Sequence, residues 1–366
     1  MTARLLVVVG TRPEAIKLAP VVQALQASPW AACRVLATGQ HREMLGQALG
    51  HFGIAPDRDL GLMRPGQTPA ELAARLLAAL DPVLADERPD GVLVQGDTST
   101  AFASALACYY RRIPLAHVEA GLRTFDKWRP FPEEGHRGLV ARLADLHFAP
   151  TQEAGANLLA EGVPAARIHV VGNTVVDALR WTAARVDAHR WRPPAGRRLL
   201  LATAHRRESI GAPLAQICRA LRALAARPDV QLLLPLHPNP AVRAIVEPAL
   251  RGLPQLRLCE PLDYPDLVAA LQAASLVLTD SGGLQEEAAA LGRPVLVLRG
   301  ETDRPEGVRT GAARIAGTDA ARIEGLAAAL LDDPAALAAM AAAPNPYGEG
   351  RSAAAIAAVL QRCWGR

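Results

Sequence analysis

Residues 275–298 read SLVLTDSGGLQEEAAALGRPVLVL. The apolar run Leu276–Leu278 is short enough for a buried strand. Thr279 to Gly283 follow as a turn, in which two glycines let backbone approach a ligand closely. Leu284 to Leu291 reads as a helix, with Gly292 as its stop and Pro294 just beyond. Pro294 to Leu298 is the next strand. This is a βαβ unit. Its helix opens with unsatisfied N–H groups at the positive end of a dipole, where a phosphate would sit well. Glu287, about one turn in, is placed to hydrogen-bond something beside that phosphate, such as ribose hydroxyls. The plainer alternative is an ordinary βα turn with a glycine-rich cap.

The same alternation runs through the chain. Strands are expected at Arg4–Val9, Cys33–Ala37, Gly91–Val94, Ile113–Val118, Leu146–Ala149 and Ile168–Val171, with helices between most of them. Leu122 to Pro132 has no clear period and reads as a long loop. After the exposed stretch RPPAGRR (192–198), strands recur at Leu199–Ala202, Gln231–Leu234 and Arg257–Cys259, with a loop at 260–266 before the opening unit. A last helix spans about Ala353 to Cys363. Strands alternating with helices imply parallel sheets covered on both faces. The fold class is therefore α/β, with two doubly wound domains.

Length and composition fit two such domains. The chain has 366 residues, half of them hydrophobic, and a net charge of only +4. Acidic and basic residues are interspersed, so a pI of about 9.0 does not by itself imply nucleic acid. Five cysteines lie far apart without a CxxC, which suits reduced thiols in a cytoplasmic protein better than disulfides or zinc. The apolar run at the N-terminus is too short for a signal peptide. The alanine-rich tract near the C-terminus is broken by Asp332-Asp333-Pro334, so no membrane span is expected. Of the 40 basic residues only Lys17 and Lys127 are lysines. In so biased a chain, a lysine hints at a need for a compact ammonium.

In open parallel sheets ligands bind beyond the carboxyl ends of strands. Arg12, His41, Asp97, Glu119, His205, His237, Ser281 and Glu301 all follow expected strands. If the two sheet edges face each other, they form a cleft. The first half brings Asp97, Glu119 and Glu133 with Arg12 and Lys17. The second brings His205, Arg206, His237, Arg304 and the Ser281-Gly282-Gly283 helix start. Paired carboxylates serve acid–base work, and cations with a helix N-terminus stabilise a departing phosphate. The plainer alternatives are that Asp97 caps the following helix, that Glu119 pairs with Arg123, and that both histidines are polar loop residues. His117-Val118-Glu119 has the H-x-E spacing of zinc deaminases, but no P-C-x-x-C follows, so no metal is expected.

Taken together, GTRPEAIKLAP (10–20), GQHREML (39–45), QGDTST (95–100), HVEAGLRT (117–124), PEEGHR (132–137), HRRES (205–209), TDSGGLQEEA (279–288), DRPEG (303–307) and NPYGEG (345–350) resemble the non-hydrolysing UDP-N-acetylglucosamine 2-epimerases. The resemblance implies the glycosyltransferase-B architecture, two Rossmann-like domains with a cleft between. Expected boundaries are residues 1–172, 173–350, and a helix at 351–366 crossing back to the first domain. It also implies interconversion of UDP-N-acetylglucosamine and UDP-N-acetylmannosamine for cell-surface polysaccharide synthesis. No cofactor, nucleic acid or membrane partner is implied, and a cytoplasmic homodimer is.

The C2 hydrogen of the intact sugar is not acidic. The family's route expels UDP first, acidifying C2–H and giving 2-acetamidoglucal, then returns proton and UDP. Carried onto this chain, it makes Asp97, Glu119, Glu133 and His205 catalytic. Ser281, Gly282, Gly283, Glu287, His237 and Arg304 would hold UDP, with Leu262 and Leu267 around uracil and Arg12 and Lys17 reaching the diphosphate. Gln40, His41 and Gln67 match a region where family members can bind a second UDP-sugar. The chain departs from the family at His136, often asparagine, at Ala204, where glycine is usual, and at Leu267, phenylalanine in some relatives. A retaining glycosyltransferase, a hydrolysing relative and a nucleotide-sugar sensor are the competing readings. The intact acid–base set argues against the last.

Overall fold

A computed structural model describes residues 2–39, 42–64 and 66–365. The chain divides into two compact units, one of Met1–Ala178 with Tyr347–Arg366, the other of Leu179–Pro346.

In the first unit seven parallel strands form one sheet: β1 (Ala3–Val9), β2 (Ala31–Ala37), β3 (Arg58–Asp59), β4 (Gly91–Gln95), β5 (Leu115–Val118), β6 (Leu146–Ala149) and β7 (Ile168–Val170), in the order β3-β2-β1-β4-β5-β6-β7. The second unit has six: β8 (Arg198–Thr203), β9 (Val230–Pro235), β10 (Leu256–Cys259), β11 (Ala274–Thr279), β12 (Val295–Val297) and β13 (Ala313–Ile315), in the order β10-β9-β8-β11-β12-β13. Both orders reverse direction once, between β1 and β4 and between β8 and β11. That reversal opens a crevice at the strand ends, because the helices on either side leave toward opposite faces.

The central strands β4, β11 and β12 are mostly apolar and buried along nearly their whole length because both faces are covered. In the second unit, Leu200, Ala202, Leu232 and Leu278 pack on one side with the helices Ala212–Ala225 and Ala320–Asp332. Leu199, Leu201, Leu233 and Val277 point the other way, toward Trp191, Leu271 and Leu284. Successive residues thus serve opposite cores, as the two-residue period of a strand requires.

Several elements depart from expectation for local reasons. β5 begins at Leu115 rather than Ile113 because Pro114 has no N–H to give the ladder, though its carbonyl accepts from Val92. The expected loop at 260–266 is cut short. Asp263 caps a helix, Tyr264–Ala273, which feeds directly into β11. The alanine-rich tract forms two helices, Ala320–Asp332 and Pro334–Ala341, and Asp333 caps the second by accepting from the N–H groups of Ala335 and Ala336. The two-residue β3 and the short β13 carry too little pattern to be read.

The boundary between the units falls inside the helix Thr174–Ala183. The returning chain is tied into the first unit at Tyr347, whose carbonyl accepts from Asn173 N–H. Asp177 then accepts from the N–H groups of Ser352 and Ala353, capping the final helix, Ser352–Trp364. No helix among the described residues is long and apolar enough to cross a membrane.

At the reversal in the first unit, space is used to the limit. A Cβ on Gly10 would fall 2.1 Å from Thr100 Oγ1 and 2.8 Å from Thr38 Oγ1, two hydroxyls already 3.0 Å apart. Gly10→Ala is expected to lower stability by about 1–3 kcal/mol, the usual cost of overpacking. A denaturant midpoint unchanged from the unsubstituted protein would contradict this packing.

Candidate functional site

In the first unit, Gly10 leaves the end of β1 and Thr11 caps the helix Arg12–Gln26. Glu14 is buried in that helix's first turn. One carboxyl oxygen accepts from Gly10 N–H (3.0 Å) and Thr11 N–H (2.7 Å), and the other from the Thr98 hydroxyl (2.7 Å). Glu14 therefore joins the turn after β1 to the turn after β4, across the reversal. Burial pushes its carboxyl up to about 7, against the pull of its hydrogen-bond donors.

Asp97 lies in the turn after β4. Thr98, not Asp97, caps the following helix, Ser99–Arg111. The Asp97 carboxylate is partly exposed and pairs with the buried Arg137 at 2.5 Å. Its carbonyl accepts from His136 Nδ1 at 3.0 Å, and the His136 ring stacks on Phe102. Glu134 lies 3.4 Å from the same Arg137 and accepts from the N–H groups of Thr124 and Phe125, fixing the long loop beside Asp97. Glu133 is half-buried at the start of the helix Glu133–Leu143 and makes no ion pair among the described residues.

Glu119 follows β5, the strand next to β4, with φ at +63°. A left-handed backbone at a residue other than glycine costs about 1–3 kcal/mol and needs support from its surroundings. Here Lys17 pairs with the Glu119 carboxylate, and Asn173 Nδ2 donates to the same oxygen at 3.1 Å. Lys17 and Glu119 are both nearly buried, so each needs the other. Arg123 pairs instead with Glu161, at 2.6 and 2.8 Å. Arg12 is the first residue of the helix that carries Lys17; that helix follows β1, two strands from β5.

In the second unit, His205 and Arg206 follow β8. Asp280, at the end of β11, is fully buried, and its Oδ2 accepts from His205 N–H (2.7 Å) and Arg206 N–H (2.8 Å). Here too a carboxylate crosses the reversal in strand order. The His205 ring stacks on His237, with centroids 5.0 Å apart and planes at 2°. Burial is the chief reason that both rings fall below the usual histidine range.

Ser281 is the N-cap of the helix Gly282–Ala290, but its side chain makes no capping bond. Side chains crowd that end. A Cβ on Gly282 would stand 3.4 Å from Asp303 Oδ1 and 3.7 Å from both Arg206 and Arg304. Arg304 is buried and pairs with Glu286 and, at 3.1 Å, with Asp303. Gly283 and the buried Glu287 lie further along the helix. Leu262 and Leu267 are half-buried and pack on the core around Val277. Gln67 sits in the loop before the helix Pro69–Glu87 and accepts from Arg64 N–H at 3.3 Å. Gln40 and His41 fall outside the described residues.

Sequence reasoning missed Arg137, Asn173 and Asp280, which bond Asp97, Glu119 and His205 directly, and Glu14 and Glu134, which fix the turns and the loop beside them. Glu14 and Asp280 could have been found, since each is an acid inside a turn already singled out. Arg137 closes the quoted PEEGHR stretch but acts 40 positions from Asp97, and Asn173 left no local sign.

A doubly wound α/β enzyme for an anionic ligand is the class that this fold and these groups define. Carboxylates cluster at one sheet's reversal, histidines and arginines at the other's. The family model described as UDP-N-acetylglucosamine 2-epimerase matches residues 23–361. The UDP-N-acetylglucosamine 2-epimerase of Salmonella typhimurium is 47% identical over 369 residues, covering 98% of each chain. That of Bacillus subtilis is 45% identical over 355 residues, 96% of this chain and 93% of its own. Among solved structures, UDP-GlcNAc 2-epimerase from Neisseria meningitidis bound to UDP-GlcNAc superimposes with a TM-score of 0.94 at 40% identity, over 98% of this chain and 100% of that one. A Staphylococcus aureus co-structure with UDP gives 0.92 at 42% identity, over 99% and 97%. The chain belongs to the UDP-N-acetylglucosamine 2-epimerase family. Its architecture is the two-domain, glycosyltransferase-B-like fold.

The Glu14 carboxyl makes a pH prediction. Its folded value, about 7, lies above the ordinary 4.5, so folding favours the protonated form. Stability from this group is full below 4.5 and is lost as pH rises through about 7. Glu14→Gln cannot ionise. Relative to the unsubstituted protein, the variant is expected to gain stability steadily between pH 4.5 and 7 and no further above. A difference in unfolding free energy independent of pH would contradict the assignment.

Proposed function

We propose that this protein interconverts UDP-N-acetylglucosamine and UDP-N-acetylmannosamine by expelling UDP and returning it. The observation that carries the proposal is the pair of strand-end carboxylates Asp97 and Glu119, each with its own buried cationic partner, in a chain of this family. Two proton transfers are needed at C2, one on each face of the sugar, and two carboxylates on neighbouring strands suit them.

The chemistry runs in two halves. The C1–O bond to UDP breaks, and the electron pair leaves with the diphosphate. The cationic sugar ring then makes C2–H acidic, and a carboxylate takes that proton to give 2-acetamidoglucal. Reprotonation on the opposite face and return of the diphosphate oxygen to C1 complete the inversion. Asp97 and Glu119 share the transfers, and Glu133 supports them.

The second unit holds the leaving group. Ser281, Gly282 and Gly283 offer backbone N–H groups to the diphosphate, as helix starts do for anions. Arg304 and His205 add charge and hydrogen bonds, which count for more in a water-poor site. Arg12 and Lys17 assist from the first unit. Glu287 takes the ribose, Leu262 and Leu267 border the base, and His237 supports His205. A cytoplasmic homodimer, feeding cell-surface polysaccharide synthesis, completes the proposal. A second nucleotide-sugar site at Gln40, His41 and Gln67 belongs to it as well.

The test is turnover in heavy water. Incubation with UDP-N-acetylglucosamine is expected to place deuterium at C2 of both UDP-linked sugars. Asp97→Asn and Glu119→Gln should each lose at least ~100-fold in rate, the scale of acid–base contributions, while still binding UDP. Free N-acetylmannosamine as the product, or no deuterium at C2, would refute the reading.

A further inference from the structure

Asp280 spends only one of its carboxyl oxygens on the backbone. Oδ2 takes both N–H groups, from His205 and Arg206. Oδ1 accepts no hydrogen bond among the described residues, although the carboxylate is fully buried. A buried acceptor without a donor is costly. The donor within reach is His205 Nδ1, 3.5 Å away, a length that one small ring movement would close. His237, stacked on the same ring, is held the other way round. Its Nδ1 accepts from Asn239 N–H at 3.1 Å, so its neutral form carries the proton on Nε2.

We infer that Asp280 is a positioning residue that keeps a proton on Nδ1 of His205, so that His205 can donate through Nε2 only as the cation. This rests on the reading of His205 as a group that faces the departing diphosphate. In the neutral ring with Nδ1 protonated, Nε2 presents a lone pair, which repels a phosphate oxygen. In the cation, Nε2–H donates with full charge. Asp280 thereby ties the hydrogen bond to the leaving group to the ring's charge.

The charged neighbours oppose one another. Burial draws His205 toward the neutral form most strongly, and Arg206 adds to that. Asp280 and Glu208 favour the cation. His237 is the remaining titratable ring in contact, and Arg304 and Asp303 stand beside Arg206 at Gly282. Of the two carboxylates that favour the cation, Asp280 is the stronger influence; its Oδ1 stands 3.5 Å from Nδ1, and its Oδ2 is fixed by the His205 and Arg206 N–H groups.

The test is nitrogen-15 NMR of histidine-labelled full-length protein without ligand, with His205 assigned by its loss in His205→Asn. The neutral form of His205 is expected to carry its proton on Nδ1. In Asp280→Asn the amide oxygen can keep both backbone N–H groups, while its NH2 faces the ring. The proton should then move to Nε2, and the titration should shift down by about one pH unit, the lower end of what an adjacent opposite charge does. With UDP-N-acetylglucosamine, kcat of Asp280→Asn should fall at least about tenfold with KM little changed, a fraction of the loss seen when a whole charge-stabilising donor is removed. An Nε2-protonated neutral ring in the unsubstituted protein overturns the inference, and that measurement needs no variant at Asp280. An unshifted titration or an unchanged kcat in Asp280→Asn overturns it too. An unsubstituted protein that fails to turn over the sugar nucleotide sinks the epimerase reading instead, and leaves the NMR result standing.

Discussion

A buried carboxylate spans the reversal of strand order in each unit, and the rest of the site is arranged on it. Glu14 gathers Gly10, Thr11 and Thr98 in the first unit, and Asp280 gathers His205 and Arg206 in the second. The physical need is the same in both. Where neighbouring strands send their helices to opposite faces, the first turn is left with backbone N–H groups that no ladder or helix can use. Two consecutive N–H groups on one carboxylate satisfy them and fix the turn. The residues that follow, Arg12 and Lys17 in one unit and the His205 ring in the other, inherit that fixed geometry.

Each proposed chemical group is then held by charge rather than by packing alone. Glu119 sits in a strained left-handed conformation because Lys17 and Asn173 grip its side chain. Asp97 keeps some exposure, while its carbonyl and carboxylate are held by His136 and Arg137. In a chain whose cations are nearly all arginine, the lysine at 17 makes physical sense. A compact ammonium makes a point contact with one carboxylate oxygen, where a planar guanidinium would tend to cover both.

Much of the fold, and the strand ends that carry the candidate groups, is legible in the sequence. Short apolar runs alternating with helices point to parallel strands buried on both faces, and the rule that ligands bind at strand carboxyl ends picks out Asp97, Glu119, His205 and Ser281 as candidates. The short β3 and β13 escaped because two or three residues carry no period. The supports were harder to see. Arg137 reaches Asp97 from 40 positions away, and Asn173 reaches Glu119 across 54, so no local pattern joins them. The adjacent acids Glu133 and Glu134 could not be told apart in sequence, yet one turn of helix buries Glu134 and leaves Glu133 half-exposed. His136 looked like a departure from the family, and its ring nitrogen meets the Asp97 carbonyl.

The account depends on UDP leaving before the C2 hydrogen moves. The most direct measurement labels the oxygen that bridges C1 and the β-phosphate with oxygen-18. Substrate is then recovered after partial reaction, and the label is located by phosphorus NMR. If UDP departs, the β-phosphate can rotate, and the label is expected to appear in its non-bridging positions. A label that stays wholly in the bridge while C2 inverts would contradict the account.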